Sequence, residues 1–254
     1  MSEDDDLERR FGGLRRLYGE AAYRRLRGLH VAVVGLGGVG SWSAEALARS
    51  GVAALTLIDL DHVAESNINR QVQALQGTLG QHKGEALRER IEAIHPGCKA
   101  RVIDAFVEPD NWPGLLEGEI PDGLIDACDQ VRAKLALAVW ARGLRLPFVS
   151  VGAAGGKRQA QAIEVADLAD TTHDPLLASL RAGMRREGGA PRQGKMGIHC
   201  VFSREAVQRP QQDGEACAVD GSLNCAGYGS SVVVTASFGM TAAGSCIEQV
   251  LKKV

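Results

Sequence analysis

Gly35, Gly37 and Gly40 satisfy the spacing GxGxxG within Gly35-Leu36-Gly37-Gly38-Val39-Gly40-Ser41, directly after the apolar run His30 to Val34. A glycine turn between a strand and a helix lets backbone N–H groups approach phosphates, and the helix it opens points its positive dipole end at them. Gly38 and Ser41 belong to the same candidate surface. Alone, the pattern serves NAD, FAD and ATP sites as well as plain tight turns. Asp59 ends a second apolar run that starts at Ala54, where a carboxylate accepts hydrogen bonds from ribose hydroxyls, so NAD stays open at this point. NAD does not need the polar cluster that follows, Asn67, Asn69, Arg70 and Gln71, nor Lys83 at the head of the next helical pattern. Two cations suit a polyphosphate tail, and the combination reads as a site for ATP. Asp61 divides evenly between a role in catalysis and capping the turn after Asp59.

Such residues meet only if strand ends and helix starts are gathered at one edge. Strand-like runs at His30 to Val34, Ala54 to Asp59, Ala100 to Asp104, Gly123 to Ala127 and Pro147 to Val151 alternate with helical patterns over Val39 to Arg49, Gln81 to Ile94 and Val131 to Arg142. This βαβ rhythm predicts an α/β fold, a doubly wound, mostly parallel, Rossmann-like sheet with helices on both faces. Residues 1–29 read as an N-terminal helical segment, amphipathic from Leu7 to Leu29 and rich in arginine, ahead of a single ATP-binding domain over 30–254. Past Gly152 the rhythm loosens into a strand-like Gln161 to Val165, a helical Pro175 to Arg186 and a glycine-rich loop over 188–194, with no second domain or repeat. A mobile basic insertion is expected near 181–195, where Arg181, Arg185, Arg186, Arg192 and Lys195 outnumber the single acid Glu187.

At 254 residues the chain can bury a sizeable core, and 45% hydrophobic with 24% charged residues is ordinary for a globular protein. Aromatics are only 4%, which disfavours a surface built on base stacking, and a net charge of -2 argues against a nonspecific nucleic-acid coat. The acidic start Ser2-Glu3-Asp4-Asp5-Asp6 has no apolar segment behind it, so a cytoplasmic protein is expected. Between Gly221 and Ile247 there is no charge, but Gly227, Gly229, Gly239 and Gly244 interrupt the run; a buried strand and a packed helix are expected rather than a membrane span or a C-terminal membrane association. None of the six cysteines, Cys98, Cys128, Cys200, Cys217, Cys225 and Cys246, forms a CxxC pair, so reduced and mostly buried thiols are the default, Cys225 included.

The motifs from Gly35 to Asp129 make the chain similar to the ubiquitin-activating-enzyme superfamily, whose members adenylate a carboxylate with ATP. Arg10-Phe11-Gly12-Gly13, Arg16-Leu17-Tyr18-Gly19, Asp167-Leu168-Ala169, Asp174-Pro175-Leu176 and Cys200-Val201-Phe202-Ser203 extend the likeness over nearly the whole chain. With these it resembles the bacterial tRNA threonylcarbamoyladenosine dehydratases. The resemblance implies a glycine turn at Gly35 to Ser41, a ribose carboxylate at Asp59, phosphate-facing Asn67 and Arg70, a phosphate lysine at Lys83 and a magnesium-associated Asp129. Asp126, in Asp126-Ala127-Cys128-Asp129, is expected to shape the strand end.

It also implies a reaction: ATP with Mg2+ converts the threonyl carboxylate of N6-threonylcarbamoyladenosine in tRNA into an acyl adenylate, and the neighbouring carbamoyl group closes a ring as AMP departs. A homodimer is implied, in which an arginine between Arg10 and Arg16 reaches the partner's ATP, and 181–195 becomes the preferred tRNA contact. A sulfur-transfer or sulfur-acceptor protein is a further partner the resemblance allows. The rival substrate is the C-terminal carboxylate of a ubiquitin-like sulfur-carrier protein, whose activating enzymes often carry paired CxxC ligands. An NAD enzyme and a non-catalytic scaffold are the remaining alternatives.

Overall fold

The computed structural model describes residues 3–208 and 228–252. Short strands rich in Val, Ile and Leu form β1 (His30–Val34), β2 (Ala54–Asp59), β3 (Lys99–Asp104), β4 (Gly123–Asp126), β5 (Phe148–Val151), β6 (Ile163–Asp167) and β7 (His199–Ser203). They pair in the order β3-β2-β1-β4-β5-β7-β6, all parallel except that β6 runs antiparallel to β7. The doubly wound, mostly parallel sheet expected from the rhythm is therefore present. Strand order reverses between β1 and β4, so a crevice opens beyond their carboxyl ends.

Alternate residues of each central strand feed two apolar layers. Val31, Val33, Leu55, Leu57, Ile125 and Val149 join one core, and Ala32, Val34, Ile58, Leu124 and Phe148 join the other. The first core is covered by α3 (Gly40–Arg49), α4 (Lys83–Ile94) and the long α7 (Val232–Leu251), the second by α5 (Val131–Gly143) and α6 (Pro175–Arg186). Gly239 of α7 is a close-approach position: a Cβ there would lie 2.5 Å from the Val39 carbonyl oxygen and 2.8 Å from the Trp42 side chain.

Two expectations change. The N-terminal segment is two helices, α1 (Glu3–Tyr18) and α2 (Glu20–Leu26), broken at Gly19, whose φ of 82° ends the first. The 181–195 stretch is split: residues to 186 complete α6, and Arg181 donates to the Leu168 and Thr171 carbonyl oxygens and the Thr171 hydroxyl. Arg181 is thus a structural tie, and Arg186 pairs with Glu187. The described part of the charge-free run, from residue 228, is coil and then α7; the strand expected there, with Cys217 and Cys225, lies outside the described residues. Among the described residues no helix is long and apolar enough to cross a membrane.

Candidate active site

The glycine turn is held at Gly35 and Gly40 by contacts that leave no room for side chains. Gly35 follows β1 with φ 84°, and a Cβ on it would lie 2.9 Å from the Ala127 and Cys128 backbone. A Cβ on Gly40 would fall 1.8 Å from the Gly35 carbonyl oxygen, so the turn into α3 closes only around glycine. Asp59, at the end of β2 and nearly buried, spends Oδ2 on the Leu36 N–H and Oδ1 on the Asp61 N–H at 2.9 Å. Its carboxylate thereby ties the glycine turn to β2.

The two cations converge on the same space. Lys83 begins α4, is buried, and donates to Asp61 Oδ2 at 2.6 Å, while Asp61 itself remains half exposed. Asp61 is therefore the lysine's carboxylate partner as well as a turn residue. The Arg70 backbone is pinned where the Trp42 indole N–H donates to its carbonyl at 2.9 Å. Its guanidinium donates to the Ser66 carbonyl at 2.6 Å and to Asn69 Oδ1 at 2.9 Å, and burial pushes its pKa down. Gln71 accepts from the Gln73 side chain at 3.3 Å, and Gln73 donates to the Leu36 carbonyl at 2.9 Å.

Opposite, β4 delivers Asp126, Cys128, Asp129 and Gln130. Asp126 and Lys134 form a fully buried ion pair at 2.9 Å, and Lys134 Nζ also donates to the Val151 carbonyl at 2.7 Å and lies 3.4 Å from Ser150 Oγ. Ser150 Oγ donates to Asp126 Oδ2 at 2.7 Å, and the Cys128 thiol to Asp126 Oδ1 at 2.9 Å. Burial, first, and the Asp126 charge push the Cys128 thiol well up, which makes it a poor nucleophile. Asp129 lies above this pair and has no side-chain hydrogen bond or ion pair among the described residues.

These parts line one cleft of about 490 Å³. It gathers Gly35, Gly37, Gly38, Asp59, Asp61 and Arg70, with Gln71, Lys83 and Asp129, from the anticipated set. Three of that set stay outside the lining: Gly40 closes the turn, Ser41 accepts from the Val72 N–H at 3.4 Å, and Asn67 Oδ1 caps its own turn by accepting from the Ala64 N–H at 3.0 Å. Phe106, Gly152 to Gly155, Val207, Tyr228 and Ser230 also line the cleft and were not anticipated. They come from loops far apart in sequence, and no motif marks them.

A family model described as the ThiF family matches residues 10–253. The chain belongs to the ThiF family. It is 43% identical over 98% of its length to the tRNA threonylcarbamoyladenosine dehydratase of Escherichia coli strain K12, covering 96% of that protein. The crystal structure of the E. coli tRNA N6-threonylcarbamoyladenosine dehydratase in complex with ATP superposes with a TM-score of 0.89 at 41% identity, covering 100% of this chain and 98% of that one. The complex of the same enzyme with AMP gives 0.88 at 42% identity, with coverage of 100% and 98%.

Proposed function

We propose that this ThiF-family chain is an ATP-dependent tRNA threonylcarbamoyladenosine dehydratase. One observation carries the reading: the glycine turn, Asp59, Arg70, Lys83 and Asp129 share a single cleft, in a chain similar throughout to an enzyme crystallised with ATP and with AMP. ATP lies with its phosphates on the glycine turn and the start of α3, and with its ribose hydroxyls on Asp59.

The chemistry then follows from charge. A carboxylate approaching the α-phosphate is repelled by the polyphosphate unless cations neutralise it. Lys83 and Arg70 serve that end, and Arg70 meets the charge that grows on pyrophosphate as it leaves, where a contact raises rate more than affinity. One oxygen of the threonyl carboxylate bonds to the α-phosphorus, pyrophosphate departs, and the carbamoyl group then attacks the acyl carbon. AMP leaves with that carboxylate oxygen, so the nucleoside loses the elements of one water. The second step is intramolecular, so proximity supplies much of its rate and no protein nucleophile is needed.

The cleft also suits magnesium. Mg2+ keeps several waters and binds through one or two carboxylates plus substrate phosphates. Asp129 offers a carboxylate with no side-chain partner among the described residues, where no group of three His, Cys, Asp or Glu side chains able to hold a metal occurs either. Asp129 would hold the ion, which would supply charge neutralisation at the phosphates. A cytoplasmic homodimer with an N-terminal arginine completing the partner's site belongs to the same proposal.

The test is mass spectrometry of nucleosides from N6-threonylcarbamoyladenosine-containing tRNA incubated with protein, ATP and Mg2+. Loss of one water that requires ATP and is slowed roughly a hundredfold in Arg70→Ala is expected. An unchanged nucleoside, from protein that still binds ATP, would shift the substrate to a carrier-protein carboxylate.

A further inference from the structure

His82 is used by none of the steps above, yet its ring touches three elements of the nucleotide wall. It is the N-cap of α4, where Nδ1 accepts from the Gly84 N–H at 3.1 Å. A ring nitrogen that accepts an amide proton carries none itself, so the hydrogen of the neutral imidazole is on Nε2. Nε2 lies 3.0 Å from the Asp59 carbonyl oxygen and 3.1 Å from Asp104 Oδ1. Asp59 and Asp104 are paired residues at the ends of β2 and β3, so one N–H bridges both strand ends while the opposite nitrogen holds the first turn of α4.

The surroundings leave the ring little freedom. Its side chain is only 11% exposed, and His62 packs edge-on against it at 5.6 Å between centroids. The neighbouring Gly84 has no space for a side chain: a Cβ would meet Val102 at 2.5 Å and the His82 ring at 3.1 Å. Lys83 follows His82 directly, and its N–H donates to the Asp61 carbonyl at 2.9 Å. The imidazole is therefore a strut between the residue that bears the ribose carboxylate, Asp59, and the residue that bears the phosphate ammonium, Lys83.

We infer that His82 is a positioning residue that sets the spacing between the Asp59 carboxylate and the Lys83 ammonium, so that one nucleotide is gripped at ribose and phosphate together. The inference rests on the ATP reading of the cleft. Its two arms are separable by side-chain geometry. Asn keeps an acceptor near the backbone and is a good N-cap, but it does not reach Asp59. Gln places a donor at the distance of Nε2 while giving up the cap.

The experiment measures ATP binding by calorimetry, thermal stability, and the split of KM for ATP against kcat for His82→Asn, His82→Gln and His82→Ala, beside Asp59→Asn and Lys83→Met. His82→Asn keeps the cap, so it should melt only slightly below the unchanged protein, and loss of the strut should weaken ATP binding roughly tenfold through KM. His82→Gln should melt earlier and recover much of the affinity, and His82→Ala should show both defects. Wild-type ATP affinity in His82→Asn, with Asp59→Asn and Lys83→Met both impaired, overturns the inference alone. Full ATP affinity in Asp59→Asn and Lys83→Met overturns the underlying site instead.

Discussion

On the wall of the cleft made by β1, β2 and α4, the polar side chains already have protein partners: Asp59 holds the Leu36 and Asp61 N–H groups, Lys83 holds Asp61, and Arg70 holds Ser66 and Asn69. On the wall made by β4 and β5 the order is inverted. The partnered groups, Asp126, Lys134 and Ser150, are buried beneath the surface, while Asp129 and Gln130 face the cleft without side-chain partners among the described residues. The first wall is set before ligand arrives, and the second presents free polar groups on a rigid base. Preorganised dipoles cost no reorganisation as charge develops, which suits an invariant nucleotide. Groups without side-chain partners among the described residues, on a fixed base, suit the proposed role of meeting the carboxylate to be activated.

The contrast breaks first at Asp129. Asp129→Asn should lower the rate of ATP-dependent dehydration by about a thousandfold, the upper size seen for removing one group that stabilises developing charge, and leave the melting temperature alone. Rapid-quench assay of AMP beside a thermal melt checks both. Beneath it, Lys134→Met should behave in the opposite way and cost about 3–5 kcal/mol of stability, because Asp126 is left charged and unpaired with no solvent. The double variant Asp126→Asn with Lys134→Met should recover most of that loss in urea unfolding.

On the partnered wall, the proposed role of Arg70 at the departing pyrophosphate predicts that Arg70→Ala reduces kcat by roughly a hundredfold with a smaller change in KM for ATP. Equal effects on both constants would place Arg70 in ground-state binding. A region remote from both walls sharpens the picture. His95 is buried against Phe11 and accepts from Arg27 at 2.9 Å, and burial, with the Arg27 and Arg10 charges, lowers its pKa from 6.5 to about 4. The unfolded chain takes up this proton more readily, so stability is complete above pH 6.5 and falls as pH drops toward 4, by about 2–3 kcal/mol. His95→Gln should flatten that acid limb of a denaturation series and leave ATP affinity at neutral pH unchanged.

Much of the first wall was readable along the chain because it is built from residues close in sequence with a strict backbone demand. The turn demands glycine at Gly35 and Gly40, and Asp59, Asp61, Arg70 and Lys83 follow within two βαβ units. Asn67 and Ser41 were placed in the right neighbourhood, but their side chains satisfy local backbone groups instead of facing the cleft. The second wall was harder. Lys134 sits in a helical pattern where a lysine looks like a solvated position, and only the three-dimensional pairing with Asp126 shows it to be fully buried. β7 (His199–Ser203) carries the Cys200-Val201-Phe202-Ser203 motif but no strand signal of its own, since its neighbours β5 and β6 are remote in sequence. Phe106, Val207 and Tyr228 reach the cleft from separate loops, and no periodic signal marks a loop residue that meets a distant strand end.

The central claim is that a substrate carboxylate, rather than water or a protein group, attacks the α-phosphate. The most direct measurement uses tRNA whose threonyl carboxylate is labelled with 18O, incubated with protein, ATP and Mg2+, followed by mass spectrometry of the nucleotide products. One labelled oxygen in AMP for each nucleoside that loses water is the predicted result. Label appearing in inorganic phosphate together with ADP, or water loss with unlabelled AMP, would contradict it.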